Sequence, residues 1–334
     1  MKYENLEQEY EIIFKHKVLP FIKTYIIKDF KTEPVYYLLE NLKINRFRSG
    51  LPLIIAREFK FSEHKIIPLS ALFELTFTTA LAQDDFYDDD LKREGLIATH
   101  KKFGVKQTLA SCDYVNHKII QLVPKILSQY GVDHKTINSL MIKINEEISK
   151  AYSSVLMELK SKDNLFKVNE EEIKELYLAK TAHGRMLLEC CFFLCGRQSG
   201  ELQSIRNYAN DLAMAGQLKN DIYDYIKHRK FRGLSDLRQG HITYPIFLLL
   251  KEIKKKDRTN FTKQLKKKNY KFIIKLLKNN LILDKMLDLI NFYVEDAKLI
   301  VMDELQSKDY SLGLKNMLNT WAEGNRNFSV KIKI

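Results

Sequence analysis

Glycine and proline are scarce, with 12 and 6 residues in a chain of 334. A mostly β chain needs turn residues every few positions, and a dinucleotide-binding fold needs a glycine fingerprint, so both lose support. Four cysteines are too few for a disulfide scaffold. No stretch approaches the roughly 20 uninterrupted apolar residues of a membrane span. The start, residues 1–17, is charged and amphipathic and lacks the apolar core of a secretory leader. Together these absences lead us to expect a cytoplasmic protein without stable membrane insertion. Cys190, Cys191 and Cys195 lie in an apolar run and read as buried free thiols. A Cys190/Cys195 metal site is the alternative, but it lacks a second ligand pair.

Apolar residues make up 45% of the chain, which excludes disorder, and the formal net charge of +13 asks for an anionic partner. Helical periodicity dominates. It predicts helices over 5–28, a pair over 34–58 broken near Ser49-Gly50 and Pro52, and a long apolar helix from about 68 into 84–90. More follow over 105–130, 134–162, 169–198 and 200–228, then shorter ones over 241–255, 259–279, 283–307 and 311–324. Residues 229–240 read as a functional loop. With no repeat and no linker, the economical expectation is one all-α domain over 1–334. Its motif-bearing part covers about 43–245 and its C-terminal helices about 246–324. The lysine-rich stretch 251–278 reads either as a patch for nucleic acid or anionic membrane, or as solvated helix faces. Ile, Leu and Phe recurring beneath the lysines favour the second, with no nucleic-acid partner.

Chemistry concentrates in two acidic clusters. Asp84, Asp85 and Asp88 are followed by Asp89 and Asp90, at the end of an apolar helix that should be buried. Asp84 and Asp88, four apart, stack on one helix face within reach of a shared cation. An exposed acidic helix end is the plain alternative. It fits poorly, because acids closing a buried helix need metal or positive partners. Gln217, Asn220, Asp221 and Asp224 repeat the geometry with oxygen ligands. Two such helix ends facing one cavity would hold Mg²⁺ by a few carboxylates, leaving the other coordination positions to water and a diphosphate.

These motifs resemble the trans-isoprenyl diphosphate synthase (polyprenyl synthetase) family. The first aspartate-rich motif is matched by DDFYD at 84–88. Arg93, Gly95 and His100 follow, then Phe103-Gly104 and Asp113-Tyr114. Lys180-Thr181-Ala182 matches the Lys-Thr-Ala motif. Gln217 with Asn220 to Asp224 matches the second aspartate-rich motif, and Gly240 to Pro245 its closing segment. The early glycine-lysine-arginine motif survives as Asn45-Arg46-Phe47-Arg48. The resemblance implies a helical bundle of the isoprenoid-synthase type around a deep apolar cavity, and a homodimer. It also implies three Mg²⁺, held by Asp84, Asp85, Asp88, Asn220, Asp221 and Asp224, that ionise an allylic prenyl diphosphate. Arg93, Lys180, Gln217 and His241 would bind its diphosphate, together with Arg46 and Arg48, and with Lys227 and Lys230 nearby.

Three departures converge on the isopentenyl diphosphate site. Asn45 replaces the family's lysine, Phe77 its histidine, and Glu94 the second arginine of its pair. A lost charge-assisted contact costs about 1.5–3 kcal/mol. The expectation is therefore an enzyme that ionises an allylic diphosphate without isopentenyl diphosphate as acceptor, a terpene synthase or non-elongating prenyltransferase. The Asn220, Asp224 spacing also resembles the start of the NSE motif of terpene synthases, with His228 where its glutamate would be. The alternatives are a chain-elongating synthase and a regulatory subunit of a heteromeric synthase. Small residues at Thr79 and Ala80, before the first motif, leave depth for a C15 or C20 chain. Phe77 and Phe73 offer a lower floor or a cation-facing ring, and Trp321 and Arg326 a cover, with core or surface packing as the plain reading of each.

Overall fold

The computed structural model describes residues 3–27, 29–161, 167–197, 199–226, 237–238, 240–305 and 314. The described residues are almost entirely helical, as the periodicity predicts. The chain folds into two compact units. Among the described residues, one falls within 1–145 and 186–203 with Leu314, and the other within 146–185 and 204–306.

The first unit opens with α1 (Tyr3–Ile13), a π-helical turn (Phe14–Val18), α2 (Leu19–Tyr25), α3 (Glu33–Asn41) and α4 (Phe47–Glu58). The break between α3 and α4 falls at 42–46, not at Ser49-Gly50 or Pro52, which lie inside α4. Gly50 is there for closeness: a Cβ built on it would lie 2.7 Å from the Cα of Tyr10 in α1. Only a hydrogen on that face lets the two helices approach. At the centre runs α5 (Glu63–Tyr87), packed on α4 and on α7 (Val105–Gln129), with α6 (Thr99–Phe103) beside α7. By length and composition α5 could cross a membrane, but 78% of its most apolar window is buried inside the protein. Leu69, Leu72, Phe73 and Leu75 give it a core-facing side all round.

Between α5 and α6 lies the feature that periodicity cannot foresee, a two-residue hairpin of β1 (Lys92–Arg93) and β2 (Leu96–Ile97). Glu94 and Gly95 turn it with φ of 48° and 89°. Two consecutive positive φ values are the signature of a type I′ hairpin turn.

Helix α8 (His134–Ser161) continues from the first unit's residues into the second's. The helix expected over 169–198 is two, α9 (Glu170–Lys180) and α10 (Ala182–Leu194), broken at Thr181 within the Lys-Thr-Ala motif. A reciprocal capping box of Asn169 and Glu172 starts α9. Helix α11 (Ser199–Ile226) carries the second acidic motif.

Helices α12 (Tyr244–Glu252), α13 (Lys255–Lys266), α14 (Tyr270–Asn279) and α15 (Ile282–Leu299) follow, with α12 packed on α14 and α15. Phe261, Ile273 and Leu277 are buried while Lys263, Lys266, Lys271, Lys275 and Lys278 are exposed. The lysine run therefore coats amphipathic helices, which accounts for much of the net charge. All four cysteines are free. Burial pushes the thiols of Cys112 and Cys195 up to about 12 and that of Cys191 well above its ordinary value, so they stay protonated.

Candidate active site

Helix α5 ends at Tyr87, so Asp84, Asp85 and Asp88 crowd the negative end of its dipole, where carboxylates are disfavoured. A cation must compensate, and the hairpin delivers one. Arg93 reaches back from β1, placing Nη2 2.7 Å from Asp84 and Nε 2.7 Å from Asp85. Burial opposes the guanidinium charge, yet the two carboxylates raise the pKa of Arg93 above its ordinary value. Asp85 is fully buried, Asp84 is exposed and Asp88 half-buried. Lys101 pairs with Asp89 at 2.6 Å, just beyond the helix end. His100 packs its ring edge-on against Phe86 and is held towards its neutral form by burial and by Lys101.

In the second unit, Asn220 is exposed, Asp221 buried and Asp224 half-buried. Asp221 is engaged on both oxygens. Its Oδ2 accepts from the Tyr177 hydroxyl and, at 3.0 Å, from the Tyr244 backbone N–H, while Oδ1 faces Gln217 Nε2 at 3.3 Å. Three residues after Tyr177, Lys180 is ion-paired with Glu158 of α8. His241 approaches the same Glu158 carboxylate at 3.9 Å, so one acid faces both cationic candidates.

The donors at both helix ends are oxygen only, which suits a hard cation such as Mg²⁺. Among the described residues no three His, Cys, Asp or Glu side chains already converge as a metal centre.

Residues 31–277 match the family described as polyprenyl synthetase. The chain belongs to the polyprenyl synthetase family. It is similar to the geranylgeranyl diphosphate synthase of Saccharolobus solfataricus, with 26% identity over 248 residues covering 69% of this chain and 70% of that one. With the short chain isoprenyl diphosphate synthase of Methanocaldococcus jannaschii it shares 24% identity over 263 residues, 75% and 76% of the two chains. The fold matches the crystal structure of a decaprenyl diphosphate synthase from Rhodobacter capsulatus at a TM-score of 0.82 and 17% identity, covering 96% and 98%. It also matches a polyprenyl synthase from Caulobacter crescentus complexed with calcium and isoprenyl diphosphate, at 0.79 and 18%, covering 96% and 97%. The all-α fold of isoprenyl synthases follows.

Within this polyprenyl synthetase chain, the segment 45–48 is turned inward. Asn45 donates to Glu7 at 2.7 Å. Arg46 is 4% exposed, with Nη1 2.6 Å from Glu74 and Nη2 on the Leu39 and Leu42 carbonyls at 2.6 and 3.0 Å. Ser49 occupies the other Glu74 oxygen at 2.7 Å. Arg48 lies over the Phe77 ring, 3.2 Å from its centroid, and over Phe47 at 4.3 Å. Burial and neighbouring Arg46 pull its pKa down to about 9 against the pull of Glu74. Thr79 is buried and bonded to Asn116 of α7 at 2.8 Å, Ala80 is half-buried, and Phe73 is core. Lys227, His228, Lys230, most of the 229–240 loop, Trp321 and Arg326 lie outside the described residues.

Sequence reasoning passed over Tyr177, Glu158 and Glu74. Only Tyr177 leaves a trace, one helical turn before Lys180. Glu158 and Glu74 look like ordinary helix acids until their partners are brought to them.

Proposed function

We propose that this protein is a Mg²⁺-dependent prenyltransferase that ionises an allylic prenyl diphosphate and extends it, in the manner of chain-elongating prenyl diphosphate synthases. The observation that carries the reading is Arg93 bridging Asp84 and Asp85 at the end of a buried apolar helix. Carboxylates and a cation are gathered there, at the position of the family's first aspartate-rich motif. The names of the similar proteins favour elongation, which reverses the order drawn from the substitutions alone.

Asp84, Asp85 and Asp88 on one helix, and Asn220 and Asp224 on the other, would hold Mg²⁺. The ions would supply positive charge to the leaving diphosphate. By the family resemblance, Arg93, Lys180, Gln217 and His241 when protonated would bind and orient that diphosphate. The C1–O bond breaks with its electron pair going to diphosphate, and the apolar length of α5 keeps water from the allylic cation. The double bond of isopentenyl diphosphate attacks C1, and the proton lost in closing the new alkene passes to the released diphosphate. Thr79 and Ala80 leave depth for a C15 or C20 chain. The proposal includes a homodimer, carried over from the family resemblance.

A second reading, a non-elongating enzyme of terpene synthase type, is favoured by the inward-turned segment 45–48 together with Phe77 and Glu94. Asn45 and Arg46 are committed to Glu7 and Glu74. One experiment separates the two. Purified protein and Mg²⁺ are incubated with geranyl, farnesyl or geranylgeranyl diphosphate, with and without isopentenyl diphosphate, and products are read by mass spectrometry. Longer prenyl diphosphates formed only with isopentenyl diphosphate support elongation. Hydrocarbon or alcohol formed without it supports the second reading. No turnover of any substrate, rescued by a partner subunit, overturns both in favour of a regulatory chain.

A further inference from the structure

Asp221 occupies the middle of the second acidic motif, where the family resemblance puts a metal ligand, yet its surroundings are those of a structural acceptor. It is 2% exposed, against an exposed Asn220 and a half-buried Asp224 on the same helix. Helix α12 begins at Tyr244. Its N-cap, Thr243, makes no side-chain capping bond, and Pro245 follows, so the Tyr244 N–H is an early donor of the helix left without an intrahelical partner. Asp221 Oδ2 accepts that donor at 3.0 Å, from a different helix. A carboxylate at this end also meets the positive end of the α12 dipole. The same oxygen takes the Tyr177 hydroxyl, which in turn accepts from the Tyr244 N–H at 2.6 Å, so Asp221 and Tyr177 share the cap. One turn on, Tyr225 and Thr243 share a hydrogen bond of 3.0 Å, a second tie between α11 and the start of α12. The rings of Tyr177 and Tyr244 pack edge to face at 5.4 Å and close the node.

Both tyrosines of the node lie three residues from a group assigned to the diphosphate. Lys180 follows Tyr177 by three residues on α9, with its ammonium 5.9 Å above the Tyr177 ring. His241 precedes Tyr244 by three residues on the segment that α12 anchors. Both approach Glu158. Fixing Tyr177 and Tyr244 on one carboxylate therefore fixes the bases of both cationic side chains.

We propose that Asp221 is a positioning residue and not a metal ligand: it caps α12 from α11, locks Tyr177, and so sets Lys180 and His241 for the substrate diphosphate, leaving Asn220 and Asp224 to the metal. This rests on the proposed function for what Lys180 and His241 bind, but the cap itself does not.

The test uses Asp221→Ala, Asp221→Asn, Tyr177→Phe, the Asp221→Ala/Tyr177→Phe double variant, and Asp224→Asn in the full chain. Without metal or substrate, Asp221→Ala and Tyr177→Phe should each lower the Tm by roughly 2–6 °C. The double variant should fall no further than Asp221→Ala alone, because the two share one interaction. Amide exchange at Tyr244 should speed up in each single variant. Asp221→Asn, which keeps an acceptor oxygen, should recover most of the Tm. With substrate, Tyr177→Phe should raise the KM for the allylic diphosphate by roughly 10-fold while the half-saturating Mg²⁺ concentration stays unchanged. Asp224→Asn should shift that Mg²⁺ concentration instead. An Asp221→Asn variant with wild-type Tm and a raised Mg²⁺ requirement would overturn the proposal, as would additive Tm losses. Should Asp221→Ala fail to fold, Tyr177→Phe removes a single oxygen and carries the same measurements. Coupled Tm losses without turnover of any allylic substrate would instead count against the proposed function alone.

Discussion

The two acidic motifs sit on separate helices, α5 and α11, and share one exposure pattern. The first residue is exposed, the second buried and the one four positions after the first half-buried: Asp84, Asp85 and Asp88 in one, Asn220, Asp221 and Asp224 in the other. The difference lies in what meets the buried carboxylate. Asp85 is met by the guanidinium of Arg93, which also holds Asp84. Asp221 accepts from the Tyr177 O–H, the Tyr244 N–H and the Gln217 side-chain amide, groups on α9, α12 and its own helix. A charged partner can be exchanged for another cation at modest net cost, because the charge balance is kept. Neutral donors fixed in a helix start and a packed ring cannot. The buried acid of the first motif is thus held in an ion pair with Arg93, and that of the second by groups of α9 and α12.

The sharpest way to break this comparison is to delete the accessible carboxylates. Asp84→Ala and Asp224→Ala should each reduce allylic diphosphate turnover by about 1,000-fold or more with unchanged helical circular dichroism. Retained activity in either would mean that its motif does not hold metal. Next in size is the contrast between the buried partners. Arg93→Met strands Asp85 as a buried charge and should lower unfolding free energy by about 3–5 kcal/mol. Tyr177→Phe removes a neutral donor and should lower it by about 1–2 kcal/mol. Urea denaturation of the two side by side measures both, and equal losses would erase the distinction drawn between them.

The smallest effect comes from a third carboxylate on α11. Asp211 is pushed up to about 7 by burial and by Asp296, from an ordinary value of 3.8. The folded chain therefore keeps a proton that the unfolded chain releases between those values. This contribution to stability is fully present below the ordinary carboxylate pKa and is lost as pH rises through 7. Asp211→Asn should flatten the Tm against pH between 4 and 7 and raise Tm slightly above it, relative to the native chain. An unchanged profile would show that Asp211 is better solvated than its burial beside Asp296 implies.

Much of this was legible in the residues. The 3.6-residue pattern places most long helices to within a few positions, though the stretch 259–279, expected as one helix, is α13 and α14, and the acids at 84–90 and 220–224 stand out because they end apolar runs. The lysines of 251–278 lie above Phe261, Ile273 and Leu277 as the pattern requires. The exceptions each have a physical cause. Gly50 and Pro52 suggest a helix break, yet Gly50 serves a close approach to Tyr10, and the chain turns at 42–46 instead. The 92–97 hairpin is too short to carry a strand period. Thr181 divides a stretch that is continuous in hydrophobicity.

Side-chain roles divide in the same way. The order and spacing of Asp84, Asp85, Asp88, Lys180, Asn220, Asp221 and Asp224 are local properties of helices, so the sequence alone determined the fold class, the family and the kind of chemistry the motifs suit. Partners distant in the chain were decided only by tertiary structure. Arg46 finds Glu74 across 28 residues and Tyr177 finds Asp221 across 44. Helical periodicity reports which face is buried but not which polar group another helix will bring to it. Whether a charge within a motif serves a ligand or the scaffold depends on that encounter.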